Sequence, residues 1–308
     1  MLRKNAGTIA FTATVMLAGL SLNPANTLRS QFKESPQSNP LVAQAATVKA
    51  GSGKPHGGMN PNEFVPMKVK AIDGYNYNTR VYHFELESPD ATVDAPLTSY
   101  VLARYNDGEK DIVRPYTPIH THEKGQLSLL VKSYPTGKMS KHFAELKPGD
   151  VLDIKGPCQK LKYEPNRNSD AVMICGGTGI TPMLQLAEGI LRNPEDKTKI
   201  KLIFANATQE DILLKPELDA LAKTYPDRFQ VVYSLDKPPA GWKGLSGYLN
   251  KDAIAQLLPK SKDTMVYVCG PPGMMNAISG PKGPNYTQGD VGGVLKDLGF
   301  DKDHVYKF

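Results

Sequence analysis

The rhythm of apolar and polar residues changes near residue 165. Between residues 63 and 165, apolar and polar positions alternate in short runs bounded by turn signals such as Asp73-Gly74 and Lys124-Gly125. Such alternation predicts strands with one buried face, and many short strands in close succession favour an antiparallel barrel. The predicted strands cover residues 65–72, 80–86, 100–105, 112–114, 126–133 and 151–155, with one helix over 138–146.

Beyond residue 165 the strands are continuously apolar and alternate with helical patterns. This arrangement predicts a parallel sheet covered by helices on both faces. The predicted strands are 171–175, 200–206, 229–235 and 265–269, and the predicted helices are 182–192, 218–223 and 252–258. The fold class is therefore an antiparallel β-barrel domain over 63–165 followed by an α/β domain with a parallel sheet over 166–308.

Residues 1–62 have the composition of a targeting segment and tether. After Arg3 and Lys4 no charge occurs until Arg29, and residues 6–22 are mostly apolar. That stretch would measure about 26 Å as a helix, which is the short end of a membrane span. We expect an anchor at about 6–22, followed by a flexible linker rich in Pro, Ser, Asn and Gly.

The leader is nearly free of acidic residues and rich in Ser, Thr, Asn and Ala, a bias shared with mitochondrial targeting segments. We expect the protein to be located in the mitochondrial outer membrane, with the intermembrane space as a further location. An endoplasmic-reticulum anchor and a cleaved secretory signal are the alternatives, and the flanking charges do not fix the orientation.

Charge and cysteine content exclude several classes of function. The formal net charge is +6, but most of the excess lies in the leader, so nucleic acid is not an expected partner. Cys158, Cys175 and Cys269 contain no CxxC pair, which excludes a four-cysteine iron–sulfur or zinc site. The histidines show no metal-ligand spacing, so we expect no metal.

The first chemical motif is Arg114-Pro115-Tyr116-Thr117-Pro118, which closes a predicted strand. Arginine offers a rigid fork of donors that suits a diphosphate. Tyrosine offers a flat face for a flavin ring and a hydroxyl for its ribityl chain. Thr117 can donate to a flavin ring nitrogen. A strand end with a proline-bracketed turn is the plain alternative.

A second motif, Gly137-Lys138-Met139-Ser140, opens the predicted helix at 138–146. Free backbone N–H groups and the helix dipole attract a phosphate at such a position. Lys138 adds charge and Ser140 a hydroxyl, although an ordinary helix start would look the same. Lys132, on the preceding strand, would otherwise be a solvated lysine.

Two further motifs follow parallel strands. Gly176-Gly177-Thr178-Gly179-Ile180-Thr181-Pro182 joins the first parallel strand to a helix predicted to begin at Pro182, where a dinucleotide pyrophosphate can bind. Its spacing differs from GxGxxG. Cys269-Gly270-Pro271-Pro272-Gly273-Met274 follows the last apolar strand, at the sheet edge where ligands bind. Cys269 is either a steric guide beside a nicotinamide or a buried small residue.

Asp236 ends the strand 229–235. A carboxylate there can accept a ribose hydroxyl and repel a 2′-phosphate, which favours NADH over NADPH. The alternative is a turn aspartate before Pro238-Pro239.

Taken together, these motifs identify a resemblance. From Glu63 to Phe308 the chain resembles the NADH–cytochrome b5 reductases of the ferredoxin-reductase superfamily, most closely the fungal mitochondrial form. Asp211-Ile212-Leu213-Leu214 and the stretches 217–221 and 305–308 support it. Gly273 departs from the proline of many relatives and leaves the position of Met274 open.

The resemblance implies bound FAD, NADH as substrate, and a set of site residues. The residues implied to contact FAD are Arg114, Pro115, Tyr116, Thr117, Leu130, Lys132, Gly137, Lys138, Met139, Ser140 and Thr181. Those implied for NADH are Gly176, Gly177, Thr178, Gly179, Cys269, Gly270, Pro271 and Pro272. The carboxylate argument adds Asp236 to the expected NADH site, and Met274 is included with its position left open. Thr117 and Cys269 are the candidate catalytic residues.

The expected activity is hydride transfer from NADH to FAD, followed by single-electron transfer to cytochrome b5 or a similar acidic haem protein. Lys132, Lys138 and Lys141 are candidate contacts for that partner, and we expect a monomer. The alternatives are a reductase that serves an iron–sulfur or oxygenase partner, and a membrane-tethered nucleotide sensor without turnover.

Overall fold

The structure is a computed structural model and describes residues 55–308. The predicted anchor at 6–22 lies outside the described residues. Within 55–308, no helix combines the length and apolar character needed to cross a membrane.

The first half of the described chain is a six-stranded antiparallel sheet with the order β4-β3-β6-β1-β2-β5. An isolated antiparallel bridge between Ile119 and Ser128 joins the segment after β4 to β5, and so links the two ends of this order. The strands are β1 Val65–Asn76, β2 Thr79–Glu85, β3 Ser99–Asn106, β4 Asp111–Tyr116, β5 Gln126–Lys132 and β6 Val151–Gln159.

Alternate side chains along each strand of this sheet point into its core. Along β3, Val101 and Ala103 are fully buried while their neighbours are partly exposed, as a period of two requires. Helix α1, Lys138–Glu145, packs the buried Phe143 against the rings of Tyr82 and Tyr116. The helix therefore fixes the end of β4 that carries the arginine–tyrosine motif.

The second half is a six-stranded parallel sheet with the order β10-β9-β8-β7-β11-β12. Alternate residues of β7 face two different cores: Met173 and Cys175 one, Val172 and Ile174 the other. Burial on both faces explains the continuous apolar runs. The strands are β7 Asp170–Gly176, β8 Lys199–Asn206, β9 Phe229–Leu235, β10 Leu245–Ser246, β11 Thr264–Cys269 and β12 Val305–Lys307.

Five helices cover this sheet: α2 Ile180–Arg192, α3 Lys215–Thr224, α4 Lys251–Leu257, α5 Pro272–Ser279 and α6 Gly293–Asp297. Helix α2 begins at Ile180, not at Pro182 as predicted, because a 3-10 turn over Gly177–Gly179 runs directly into it. Pro182 still lies in the first turn, where its missing N–H costs no helical hydrogen bond.

The predicted combination of an antiparallel sheet and a parallel sheet is confirmed. The sequence patterns missed β10, β12, α5 and α6, which are short or weakly periodic. The chain passes from one sheet to the other between Gln159 and Asp170.

Candidate functional site

A cleft of about 1180 Å³ runs between the two sheets. Its volume exceeds that of an ordinary small-ligand pocket and suits a pair of nucleotides. The predicted site residues that line it are Arg114, Pro115, Tyr116, Thr117, Leu130, Lys132, Gly137, Lys138, Met139, Ser140, Gly176, Thr178, Gly179, Thr181, Cys269, Gly270, Pro271 and Pro272. Gly177, Asp236 and Met274, also predicted, lie outside this lining.

The end of β4 presents Arg114 and Tyr116 to the cleft. The Arg114 side chain is exposed, and its Nη1 donates to the Val113 carbonyl at 2.7 Å. The Tyr116 ring meets Phe143 edge-on with centroids 5.0 Å apart. Burial raises the pKa of Tyr116 far above its usual value, so the hydroxyl stays protonated. The site thus offers a cationic fork beside a fixed, neutral phenol.

The start of α1 is a tight turn in which a side chain at residue 137 would displace the Ser140 hydroxyl. A Cβ on Gly137 would lie 2.4 Å from Ser140 Oγ. Ser140 Oγ donates to the Gly137 carbonyl at 3.1 Å and accepts from the Tyr134 backbone N–H at 3.1 Å. The serine hydroxyl therefore fixes the turn, while the first backbone N–H groups of the helix have no partner within it and can meet an anion.

Lys138 is ion-paired within the chain. Its ammonium lies 2.6 Å from Asp107 Oδ2, in the turn between β3 and β4. The hydrogen bond from Lys138 holds the pKa of Asp107 at about 2. Lys132 is also paired, with Nζ 2.8 Å from Asp211 Oδ1. Two of the three lysines predicted to meet a partner protein therefore already have carboxylate partners.

The glycine turn after β7 and the Cys-Gly-Pro-Pro turn after β11 form one structure. Residues 175 and 269 are register partners in the parallel β7–β11 pair. A Cβ on Gly179 would lie 2.3 Å from the Cys269 carbonyl oxygen, and one on Gly176 would lie 2.7 Å from Met274 Sδ. Glycine is needed at Gly179 because the backbone of the second turn passes directly against it, whereas at Gly176 a side chain would have to displace Met274. Met274 is thus a packing residue in the structure.

Cys269 faces the cleft as a neutral thiol. Burial raises its pKa to about 11, although Lys282 and Lys160 pull it the other way. Both lysines line the same cleft. Burial, followed by repulsion from Lys160, lowers the pKa of Lys282 to about 8. A protonated thiol can limit how a ring is placed but is a poor nucleophile.

Some functional candidates were not found by sequence reasoning. Tyr134, Gln185 and Phe308 line the cleft, as does Ser99. Ser99 Oγ and Gln185 Oε1 are buried and have no hydrogen-bond partner within residues 55–308. Buried polar atoms without a partner are rare, and these lie where a ligand could supply one. No motif marks Ser99, whereas Gln185 lies one turn beyond the glycine motif.

Asp236 lies at the carboxyl end of β9. The Gly247 N–H donates to the Leu235 carbonyl at 2.8 Å, so Tyr248 follows a residue that is bonded to the end of the same strand. Tyr248 is 84% exposed, although large aromatic side chains are usually buried. The role of Asp236 stays a prediction, and Tyr248 was not predicted because it belongs to no motif.

The residues fit a flavin dinucleotide on the antiparallel-sheet side. They offer an anion-binding helix start, an arginine fork and a neutral tyrosine. The parallel-sheet side offers a glycine turn with room for a pyrophosphate, a neutral thiol and a carboxylate. Together, the two sides suit a flavin and a nicotinamide that meet in one cleft.

This fold and cleft define a two-domain flavoprotein oxidoreductase with a ferredoxin-reductase-like fold. Residues 66–163 match the family "Oxidoreductase FAD-binding domain", and residues 173–280 match "Oxidoreductase NAD-binding domain". The chain is 46% identical over 250 residues to NADH-cytochrome b5 reductase 2 of Botryotinia fuckeliana, covering 80% of this chain and 72% of that one. The chain therefore belongs to the NADH–cytochrome b5 reductase family.

Two further comparisons agree. An NADH-cytochrome b5 reductase-like protein of Arabidopsis thaliana is 46% identical over 262 residues, covering 82% of this chain and 79% of that one. The cytochrome b5 reductase domain of Ulva prolifera nitrate reductase superposes with a TM-score of 0.68 at 31% identity, covering 81% of this chain and 99% of that one.

The predicted family, the cofactors FAD and NADH, and the class of NADH-dependent flavoprotein reductase are confirmed. The domain limits and the roles of individual site residues stay predictions.

Proposed function

We propose that this protein uses NADH to reduce bound FAD and then reduces a haem protein of the cytochrome b5 type. The observation that carries the proposal is the single cleft shared by the Arg114–Thr117 strand end and the Gly176–Gly179 turn. When bound, FAD supplies the link between two-electron hydride transfer and the transfer of single electrons. The chain supplies binding, orientation and polarity.

On the barrel side, the start of α1 and Arg114 would hold the FAD pyrophosphate. Tyr116 would stack against the flavin ring, and the Thr117 hydroxyl would donate to a ring nitrogen. Leu130 is buried between the sheets and closes the floor of the site. Thr181, whose Oγ1 donates to the Thr178 carbonyl at 3.1 Å, approaches the same region from α2.

On the parallel-sheet side, the Gly176–Gly179 turn would receive the NADH pyrophosphate at the start of α2. Asp236 would accept a hydroxyl of the adenosine ribose, and Tyr248 would stack on the adenine. Cys269 would bound the nicotinamide so that its C4 faces the flavin. This assignment favours NADH over NADPH.

The relatives' names support cytochrome b5 as the acceptor over an iron–sulfur or oxygenase partner. We further propose that the chain acts as a monomer with no nucleic-acid partner. Composition supports an anchor at residues 6–22 in the mitochondrial outer membrane, with the intermembrane space as a further location. The endoplasmic-reticulum membrane is the alternative location.

The test is an absorbance spectrum of the full chain, purified with FAD, before and after anaerobic NADH. We expect a flavin spectrum that bleaches promptly with NADH and much more slowly with NADPH. Added oxidised cytochrome b5 should then be reduced faster than a ferredoxin. A folded protein that takes up no FAD would refute the proposal, and reduction of ferredoxin alone would refute the acceptor.

The role of Asp236 predicts a change of nucleotide preference. Asp236→Asn removes the repulsion of a 2′-phosphate, so the ratio of kcat/KM for NADH to that for NADPH should fall about tenfold, or about 1.4 kcal/mol. The measurement is steady-state kinetics with both nucleotides. Asp303→Asn, an exposed aspartate near the C-terminus, is the matched control. An unchanged ratio in Asp236→Asn would exclude ribose recognition by this carboxylate.

A further inference from the structure

The segment Asp211–Leu214 has no part in the cofactor site described above, yet it joins the two sheets. It follows β8 and leads into α3, and its four residues are buried. The tip of the β1–β2 hairpin, Tyr75–Tyr77, reaches across from the barrel to meet it. We refer to these two pieces as the clamp.

Asp211 uses its two carboxylate oxygens for different purposes. Oδ2 accepts from the Thr208 backbone N–H at 3.2 Å and from the Thr208 hydroxyl at 3.1 Å, which stabilises its own turn. Oδ1 accepts from Lys132 Nζ at 2.8 Å and from the Tyr77 hydroxyl at 2.8 Å. Oδ2 therefore accepts hydrogen bonds from its own domain, and Oδ1 accepts hydrogen bonds from the antiparallel-sheet domain.

Two neighbouring hydrogen bonds reinforce the clamp. Asn76 Nδ2 donates to the Glu210 carbonyl at 2.9 Å. The Leu214 backbone N–H donates to the Tyr75 hydroxyl at 2.6 Å, just before α3 begins. The hairpin tip therefore contacts both ends of the Asp211 segment.

Lys132 connects the clamp to the cofactor site, because it also lines the cleft. Its side chain is 14% exposed and that of Asp211 only 6%. Removal of either partner from an ion pair that is so little exposed is strongly destabilising, because the remaining charge would be buried alone. The position of the Lys132 ammonium in the cleft is thus set by a carboxylate from the other domain.

We propose that Asp211 is a positioning residue that, through Lys132 and Tyr77, holds the two domains at the separation required for hydride transfer. The inference rests on the proposed function. Residues assigned to FAD lie mainly on the barrel, and those assigned to NADH lie on the parallel-sheet domain. A looser clamp should therefore slow transfer between them without weakening the binding of NADH. A displacement of about 1 Å can cost a reaction on the order of a hundredfold.

The experiment compares Asp211→Asn and Tyr77→Phe with Thr208→Val in the full-length holoenzyme. Thr208→Val removes the hydroxyl that bonds the other oxygen of Asp211 and caps the same turn, but it leaves the contacts to Lys132 and Tyr77, so it is the matched control for a purely local role. Stopped-flow absorbance would give the rate of flavin reduction at saturating NADH, and calorimetry would give the Kd for NAD⁺. Hydrogen exchange would report the amides of residues 75–78 and 208–214.

We expect Asp211→Asn to slow flavin reduction at least fivefold, with the Kd for NAD⁺ changed less than twofold. Tyr77→Phe should give a smaller loss. The double variant should lose less than the product of the two, because both substitutions act on the same hydrogen bond from the Tyr77 hydroxyl to Asp211 Oδ1. Amide exchange in both segments should accelerate. Asp211→Glu, which keeps the charge, should recover most of the rate, and Thr208→Val should keep the wild-type rate.

Several outcomes would overturn the inference. One is an equal loss of rate in Asp211→Asn and Thr208→Val, which would indicate a general structural role. Another is normal flavin reduction in both Asp211→Asn and Tyr77→Phe, the second of which should fold because Tyr77 is 73% exposed. Failure of the proposed function itself is distinguishable, because it would appear as absent flavin reduction in the wild type.

Discussion

At the scale of single residues, the glycines of the turn after β7 are needed for different reasons. Gly179 has an ordinary φ of −61°, so its lack of a side chain is a matter of space, with the Cys269 carbonyl directly against it. Gly177 has open space around it but a φ of +54°, so its requirement is conformational. Gly273 has neither constraint.

These differences predict the effects of alanine substitutions. Gly179→Ala drives a methyl group into backbone that cannot yield, so it should lower the free energy of unfolding by about 3 kcal/mol, the upper end for overpacking. Gly273→Ala, in the first turn of α5, should raise it by about 0.5 kcal/mol. Urea unfolding of both variants is the measurement. Equal stability of the two would contradict the close contact seen at Gly179.

Sequence reasoning identified these glycines but not the reason for each of them. GGTG could be placed between a strand and a helix because apolar periodicity changes there. Its contact with Cys269 depends on β7 and β11 being neighbours, which local patterns do not specify. The same limit applies to Lys132 and Asp211, which lie 79 residues apart in the chain. Ser99 belongs to no motif, and its position in the lining of the cleft depends on tertiary packing.

At the scale of elements, strand β12 depends on a buried lysine. Lys307 is 1% exposed, and its Nζ donates to the carbonyls of Pro281 and Asp290, each at 2.8 Å. It thereby ties together the two ends of the loop between α5 and α6. Lysine is rarely buried, which is why apolar patterning did not find this three-residue strand.

Replacement of Lys307 by methionine, an apolar residue of similar length, should lower the stability of the protein. Lys307→Met removes two hydrogen bonds from a charged donor to the carbonyls of Pro281 and Asp290, so the free energy of unfolding should fall by about 3 kcal/mol. Lys302→Met, at an exposed position, should change it by less than about 0.5 kcal/mol. The measurement is denaturant unfolding, with hydrogen exchange of residues 280–292 to locate the change. A loss confined to β12 without effect on the loop would contradict this role.

At the scale of the whole molecule, the two periodicities correctly predicted one sheet of each kind, because residue alternation depends on which faces are buried. Their relative placement depends on side chains such as Tyr75, Tyr77 and Asp211, whose polar groups cross the interface. Those contacts also make the association of the domains depend on pH.

Acid should weaken this association through Asp211. Burial favours its neutral form, but hydrogen bonds from Lys132, Tyr77 and Thr208 outweigh burial and hold its pKa below the usual value. A lowered native pKa gives stability that is fully present above the unfolded value, about 3.9, and lost as pH falls through the native value. The Tm gap between wild type and Asp211→Asn should therefore be constant near neutral pH and shrink below about pH 4.

Melting curves of both proteins from pH 3 to pH 7 would test this. The other aspartates with lowered pKa values are common to both proteins, so their contributions cancel in the comparison. A gap that stays constant down to pH 3 would mean that the Asp211 carboxylate titrates as it does in the unfolded chain.

Because its pKa is lowered, Lys282 in the lining of the cleft should react with amine-directed reagents more readily than other lysines. Because burial and the neighbouring Lys160 lower its pKa, a much larger share of its amine is neutral at pH 8 than in an ordinary exposed lysine. Acylating reagents consume only the neutral amine, so a limiting dose of an activated ester should favour residue 282 over lysines on the outer surface. A fluorophore attached there would stand beside Cys269 and report, by its quenching, when nucleotide enters and leaves.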